Sequence, residues 1–447
     1  MVRQFSFPSS TLPNFIPSRK RERGMFGLPS LSDDLIAEVF SFLPVKSLVR
    51  FKCVNKYWKT RISDNTFVKL HLNRSATRNS LFTLVTNHIT NDCTDFDGGY
   101  GMDCSVVPYS LNSLIQNSSF TLSVDPCYHL SDQGCSSIVG NCNGLILLAG
   151  GDDSQVVNFC LWNPATRVTS QNFGDFCRSP RGHPFPDDLD LYSFTFGCDI
   201  STGTYKIVAS YYDLDGQHTS RILSIGDNVW RQIQSFPVVP LHFYLGGKAV
   251  HDAVYLSGTL NWLAIHNEFD YDIKNLRVEQ FVVVSFDLGT ETFSQYRLPR
   301  DFDEMPPMMP IVSELGGFLC CSYFYKETDF LIWQMKELGV EDSWTQFLKI
   351  NLQNLPRNYD YFSNEDSSDD EIKYQFELVP MLLYEDDDTL VLRSSQGSEA
   401  ILYNWRENRA ERTKLTTSST IINDNGTSNS ILWCSAKVYV ESLVSIF

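Results

Sequence analysis

The sequence predicts a small all-α N-terminal module followed by a large all-β C-terminal domain, and three observations carry that reading. The chain has 447 residues, more than the about 250–300 at which a single hydrophobic core stops growing. The stretch LSDDLIAEVFSFLPVKSLVRFKCVNKYW, from Leu31 to Trp58, spaces its apolar residues as helices do. From about Leu81 onward the pattern changes to short runs rich in Val, Ile, Phe, Tyr and Trp, broken by Gly, Asn and Asp, which is the signature of many antiparallel strands. The predicted boundaries are a disordered tail over 1–27, a helical module over 28–75 and a β domain over 78–447.

The first helix is expected after Ser32, whose side-chain oxygen suits an N-cap, with Asp33 and Asp34 on the positive end of the helix dipole. Leu35, Ile36, Val39, Phe40 and Leu43 then form one apolar stripe. Pro44 ends that helix and is expected to open the next as its first residue. The second helix carries Leu48, Val49 and Phe51; after Cys53 and Val54, Asn55 caps a third through Trp58 and Ile62. A unit this small cannot bury so much apolar surface within itself. The excess either packs on the large domain as a cap or enters the groove of another protein, and the pattern leaves both open.

In the β region five segments share one plan of strand, polar turn and strand: FCLWNPATRV, RILSIGDNVWRQI, VVVSFDLGTETFSQYRL, LIWQMKELGVEDSWTQFLKI and ILYNWRENRAERTKL. Taking Val168, Trp230, Phe293 and Trp344 as equivalent gives a coarse period, and a coarse period of sheet units predicts blades stacked around an axis as a propeller. Closure then requires the strands around ILWCSAKVYVESLVSIF to pair with material such as SLFTLV; an open sandwich or two stacked sheets is the competing arrangement. The tryptophans Trp162, Trp230, Trp262, Trp333, Trp344 and Trp405 read as blade core.

A net charge of -17 argues against a general nucleic-acid binder and favours a basic partner surface. The acidic runs Glu365–Glu371 and Glu385–Asp388 read as solvated loops. Twelve cysteines lie scattered in apolar runs (Cys160, Cys198, Cys320, Cys321, Cys434) with no metal-site spacing, as expected of buried thiols in a reducing compartment. No signal-peptide core or membrane-length apolar run is present, so a cytoplasmic or nuclear location is expected, and Arg19, Lys20, Arg21 and Arg23 have the composition of a nuclear localisation patch or of a basic tail. There is no GxSxG, phosphate-loop, HExxH or GxGxxG motif. An enzyme, a cofactor and a metal are therefore not expected.

The run LSDDLIAEVFSFLPVKSLVRFKCVNKYWKTRISDNTFVKLHL resembles an F-box, the adaptor-binding motif of Skp-cullin-F-box ubiquitin ligases, in its plant form. The pieces VGNCNGLILL, LWNPATR, FGCDISTGTYKIV, GDNVWRQIQSFP, VYLSGTLNWLAI, SFDLGTETF, LPRDFDE and YVESLVS resemble the plant F-box-associated, or F-box/kelch-repeat, domain. The resemblance implies a kelch-like β-propeller and no catalytic residue. It also implies that Leu31, Leu35, Ile36, Val39, Phe40, Leu43, Pro44, Leu48, Val49, Phe51, Cys53, Val54 and Trp58 make the contact with a Skp-type adaptor, and through it a cullin scaffold, or form the small core beneath that contact. One departure stands out: Leu31-Ser32 replaces the family's Leu-Pro, with Leu28-Pro29 three residues earlier. Exposed aromatics on propeller loops would hold a target protein, and Phe185, Tyr212, Phe243, Tyr271, Phe302 and Tyr325 are the candidates. The alternative is a propeller that binds a small molecule or glycan with no ligase role.

Overall fold

A computed structural model describes residues 32–76, 82–91, 102–116, 119–122, 128–129, 134–135, 137–150, 156–177, 192–212, 218–243, 253–266, 276–356, 377–384, 387–394, 399–417 and 430–446. Four helices come first: α1 (Asp33–Phe40), α2 (Val45–Lys52), α3 (Lys56–Ile62) and α4 (Asn65–Ala76). The expected caps form, with the Leu35 amide donating to Ser32 Oγ at 3.3 Å and the Trp58 amide to Asn55 Oδ1 at 2.9 Å. Pro44 sits one place earlier than expected, as the N-cap residue of α2. Sequence reasoning missed α4; Asp64 starts it by accepting the amides of Thr66 and Phe67. His71 of α4 is buried, and its Nε2–H donates to the Leu43 carbonyl at 2.9 Å, which ties α4 to the turn between α1 and α2.

Among the described residues the strands form six sheets, antiparallel but for one outer strand of the sixth. The second sheet contains Ser137–Cys142, Leu145–Gly150 and Val156–Asn163, with Val168–Thr169 and Phe173–Cys177 at its outer side. The third contains Tyr192–Cys198, Tyr205–Tyr212, His218–Ser224 and Trp230–Gln232. The fourth contains Val239–Pro240 and Val254–Leu256, both beside Thr259–Ile265, then Phe281–Asp287 and Thr292–Arg297. The fifth runs Ile311–Leu315, Phe318–Tyr325, Asp329–Met335 and Trp344–Asn351, and the sixth Leu378–Tyr384, Thr389–Ser394, Glu399–Asn404 and Arg409–Thr417. The first sheet is built from both ends of the region. Its inner strand Ser430–Val440 pairs with Phe82–Asn91, Phe82 opposite Val440, and is followed outward by Met102–Ser110 and Tyr128–His129. This is the predicted closure. Between the last two, Ser119–Leu122 crosses to the sixth sheet as a parallel outer strand.

The inner strands pack on one another in order around the set, and the sixth returns to the first, a propeller-like ring. The core accordingly lies between neighbouring sheets: Phe159 with Phe196 and Ile207, Val208 with Trp262 and Phe286, Val283 with Leu319 and Tyr323, and Leu315 with Leu390 and Ile401. The predicted equivalence holds in part: Val168, Trp230 and Trp344 open an outer strand and Phe293 is the second residue of its own, so Val168 falls one place out of register with Phe293. Two of them join sheets directly: the Trp230 indole donates to the Gly174 carbonyl at 2.9 Å and the Trp344 indole to the Arg297 carbonyl at 3.0 Å. The turn before them also repeats. Asn163, Asp287 and Asn404 each accept two amides of their own turn through Oδ1. Four residues on, Arg167, Glu291 and Asn408 take the left-handed conformation at φ 59°, 58° and 52°.

Candidate partner interface

The apolar stripe divides between two faces. Inward, Val45, Leu48, Ile62 and Phe67 form a small core with Leu443 of the segment that follows the last strand, and Ala37, Phe40, Leu43, Val49, Trp58 and Ala165 pack around it. Leu443 and Ala165 belong to the β region, so the helices do cap the large domain. Outward, Leu35, Val39 and Val54 are 53%, 58% and 65% exposed, and Phe51, Cys53 and Pro44 are exposed beside them. The capping arrangement is therefore present, while Leu35, Val39 and Val54 stay uncovered.

Of the thirteen residues expected at the adaptor contact or its core, Leu48 is fully buried, while Ile36, Phe40, Leu43, Val49 and Trp58 are half-buried. Leu31 lies outside the described residues, as do Leu28 and Pro29. Phe40 links the two faces, its ring centroid 5.0 Å from Phe51 and 4.9 Å from Trp58. Sequence reasoning missed Phe42 and Tyr57, which are also exposed. Phe42 lies under the Arg74 guanidinium at 4.3 Å. Tyr57 donates to Asp33, which Arg61 also pairs; the hydrogen bond to Asp33 raises the Tyr57 pKa. That cluster braces α3 against the first turn of α1. The signal for Tyr57 was its place next to Trp58 in a run already read as helix.

The module differs in charge from the rest of the chain. Residues 32–76 carry eight Lys/Arg and four Asp/Glu, whereas residues 77–447 carry 23 and 48. A strongly acidic domain thus bears a mildly basic helical module, and at physiological ionic strength such fields act over about 8 Å from the surface.

The helices sit at one face of the ring, since Ala165 lies in an outer turn of the second sheet and Leu443 just beyond the inner strand of the first. By the up-and-down connectivity, the strand ends bounding 178–191, 213–217, 267–275 and 357–376 are at the opposite face. Among the candidate target-binding aromatics, Phe185 and Tyr271 lie outside the described residues, as do the side chains of Tyr212 and Phe243. Phe302 requires correction. It is buried between the fourth and fifth sheets, its ring edge-on to Phe281 at 5.7 Å and Tyr323 at 4.9 Å, because the connection from one sheet to the next must plug the gap that opens between them. Tyr325 is half-buried on the same core, with the Lys326 ammonium 4.8 Å above its ring.

Two hollows follow from the ring. The central passage is lined by inner strands of all six sheets, including Asn141, Phe196, Tyr255, Val312, Met381 and Lys437, and holds about 190 Å³. A larger one, about 710 Å³, opens between the fourth and fifth sheets, with Val278, Phe281 and Leu298 in its wall and both acidic (Glu279, Asp303, Glu341) and basic (Arg297, Arg300) residues around it. The expected tryptophan cores hold: Trp162, Trp262, Trp333 and Trp344 are buried, and Trp230 and Trp405 are partly so. Cys160, Cys198, Cys320 and Cys321 are buried free thiols, Cys160 with its sulfur 3.4 Å from that of Cys135. Among the described residues no group of three or more His, Cys, Asp or Glu side chains is arranged to hold a metal, and no helix is long and apolar enough to cross a membrane.

Two family models agree with this architecture. The family model described as F-box associated beta propeller domain matches residues 100–446, and the F-box domain model matches 28–70. The F-box/kelch-repeat protein At3g23880 of Arabidopsis thaliana is 27% identical over 340 residues, covering 73% of this chain and 81% of the relative. F-box protein CPR1 of the same plant is 24% identical over 363 residues, covering 77% and 79%. Among solved structures, TolB from Acinetobacter baumannii is 7% identical with a TM-score of 0.39, over 80% of this chain and 66% of that one. With an F-box ahead of six propeller-like sheets, the chain belongs to the F-box proteins that carry an F-box associated beta propeller domain.

Proposed function

We propose that this chain is the substrate-recognition subunit of a Skp-cullin-F-box ubiquitin ligase, docking a Skp-type adaptor on the bare face of α1 to α3 and holding a target protein on the β domain. The observation that carries it is that Leu35, Val39, Phe51 and Val54 stay exposed although the helices already pack on the β region with their other side. Burying about five such side chains at roughly 1.5–3 kcal/mol each gives on the order of 10 kcal/mol, enough to offset association costs of about 4–15 kcal/mol when the contact is preformed. The chain itself breaks no bond. It acts by proximity, raising the concentration of target lysines near a thioester carried elsewhere on the cullin scaffold.

The target side is the face away from the helices. The hollow between the fourth and fifth sheets falls within the about 300–1,000 Å³ of ordinary ligand sites, whereas the central passage falls below it. The acidic surplus of residues 77–447 favours a target segment bearing lysine or arginine. The test is co-expression of the full chain with a plant Skp-type adaptor, followed by size-exclusion chromatography. We expect a 1:1 complex that Leu35→Asp/Val39→Asp abolishes, because each carboxylate would be buried unpaired, with the melting of the β domain unchanged. A wild-type chain that elutes alone, or a variant that still binds, refutes the reading.

A further inference from the structure

The segment Glu441–Ile446 follows the inner strand of the first sheet and has no regular secondary structure, yet it touches every layer between the F-box and the ring. Leu443 is 3% exposed and sits among Val45, Leu48, Ile62 and Phe67, the core of the helical module. Burial raises the Glu441 carboxyl pKa, and the nearby Val45 amide partly offsets the rise. That amide is the first of α2, whose N-cap Pro44 makes no side-chain cap hydrogen bond, so the segment runs past the uncapped start of the helix. Ser442 is fully buried against Gly144, so closely that a Cβ there would come within 2.4 Å of its hydroxyl. The carbonyls of Ser442 and Val444 both accept from Asn163 Nδ2, at 3.2 and 2.9 Å. Val444 and Ile446 then enter the core between the second and third sheets.

We infer that the F-box of this chain is not an autonomous module: the strap Glu441–Ile446 completes its core and couples adaptor capture to the second sheet of the ring. Leu443 is a positioning residue, since a side chain buried beneath α2 cannot touch an adaptor on the outer face. It holds α2 and α3 at the angle at which the bare apolar residues share one surface. Coupling of this kind is reciprocal. An adaptor bound on the outer face tightens the strap and the Asn163–Arg167 turn, and a loosened strap weakens the adaptor.

The test is hydrogen exchange of the full chain, read peptide by peptide, for the wild type, Leu443→Ala and Leu331→Ala. Leu331 is buried in the core between the fourth and fifth sheets, so its variant weakens the ring without touching the strap. Leu→Ala at a buried site exceeds a tenfold effect in most cores. Amides of α2 and α3 are therefore expected to exchange at least about tenfold faster in Leu443→Ala, to keep wild-type rates in Leu331→Ala, and to recover in Leu443→Met. Equal protection of α2 and α3 in wild type and Leu443→Ala, or equal loss in Leu331→Ala, overturns the inference. Should Leu443→Ala not fold, the wild type with and without a plant Skp-type adaptor decides. Slower exchange over 440–446 and 163–167 on binding is expected, and slowing confined to 33–76 overturns it. The adaptor arm rests on the proposed function, but the first arm does not: a chain that ignores the adaptor while α2 responds to Leu443→Ala refutes only the ligase reading.

Discussion

Asn163 and Asn404 occupy the same place in two copies of one turn, which makes them an internal measurement of the strap. Each accepts two amides of its own turn through Oδ1, at 3.1 and 3.2 Å for Asn163 and 3.1 and 2.8 Å for Asn404. They differ in what else they hold. Asn404 Nδ2 donates to one carbonyl, that of Asp387, from a half-exposed position. Asn163 is fully buried, donates to two strap carbonyls and accepts the Tyr439 hydroxyl at 3.4 Å. A hydrogen bond near solvent contributes about 0.5–1.5 kcal/mol net, while a buried group left without its partner costs about 1–3 kcal/mol. Asn404→Ala is therefore expected to cost about 1–2 kcal/mol and Asn163→Ala about 4 kcal/mol, a difference of about 2–3 kcal/mol. Asn163→Asp should be no better than Asn163→Ala, because a carboxylate would face two carbonyl oxygens. Equilibrium urea unfolding of the full chain, followed by tryptophan fluorescence, reads all three. If the two alanine variants agree within about 0.5 kcal/mol, the strap hydrogen bonds contribute nothing and the reasoning fails.

Two further outcomes concern single buried charges. Lys206 joins the third sheet to the fourth, with Nζ 3.0 Å from Glu291 and 3.8 Å from Asp199. Removing one partner of a buried pair costs about 3–5 kcal/mol, but Glu291 keeps Arg231, and Asp199 keeps the hydroxyls of Ser201 and Thr202. Lys206→Met should therefore lower stability by about 2–3 kcal/mol, and adding Glu291→Gln should lower it by less than the sum of the two single changes. Burial pushes the His218 imidazole down to about 4. Between pH 6.5 and 4 the unfolded chain accepts a proton that the folded one refuses, so stability falls as pH falls through that window, by on the order of 3 kcal/mol. His218→Phe should flatten the slope in pH-dependent melting; an unchanged slope would mean that another group produces it.

The parts of the fold that were legible in the sequence are those written in local chemistry. Ser32 and Asn55 announce helix starts because a short polar side chain at a cap satisfies an amide next to it in the chain. The turn at Asn163, Asp287 and Asn404 announces a blade because each opens a five-residue reversal with a short polar side chain that accepts two amides of its own turn. The closing pair, 430–440 with 82–91, could be named because a ring of sheets needs one strand from each end. What stayed hidden depends on neighbours distant in sequence. An apolar stripe says that a surface will be covered but not by what, so the inward set around Leu48 and the outward set around Val39 read alike until Leu443 is seen beneath the first. Phe302 looked like a loop aromatic in a polar run, and only the gap between two sheets explains why it turns in. The count of six sheets was equally out of reach, since the fourth splits its inner strand into Val239–Pro240 and Val254–Leu256.

The shared first sheet also sets a timetable. Phe82–Asn91 leaves the ribosome early, but the strand that covers its inner edge, Ser430–Val440, is made roughly 340 residues later. At about 5–20 residues per second the interval is on the order of 20–70 s, far longer than the microseconds a hairpin needs to form. Throughout that time a strand with the sequence FTLVTNHITN offers an unpaired edge. The newly made chain therefore depends on being kept from its own copies until its final strand arrives, and its yield in a cell should follow the supply of chaperones more closely than its equilibrium stability does.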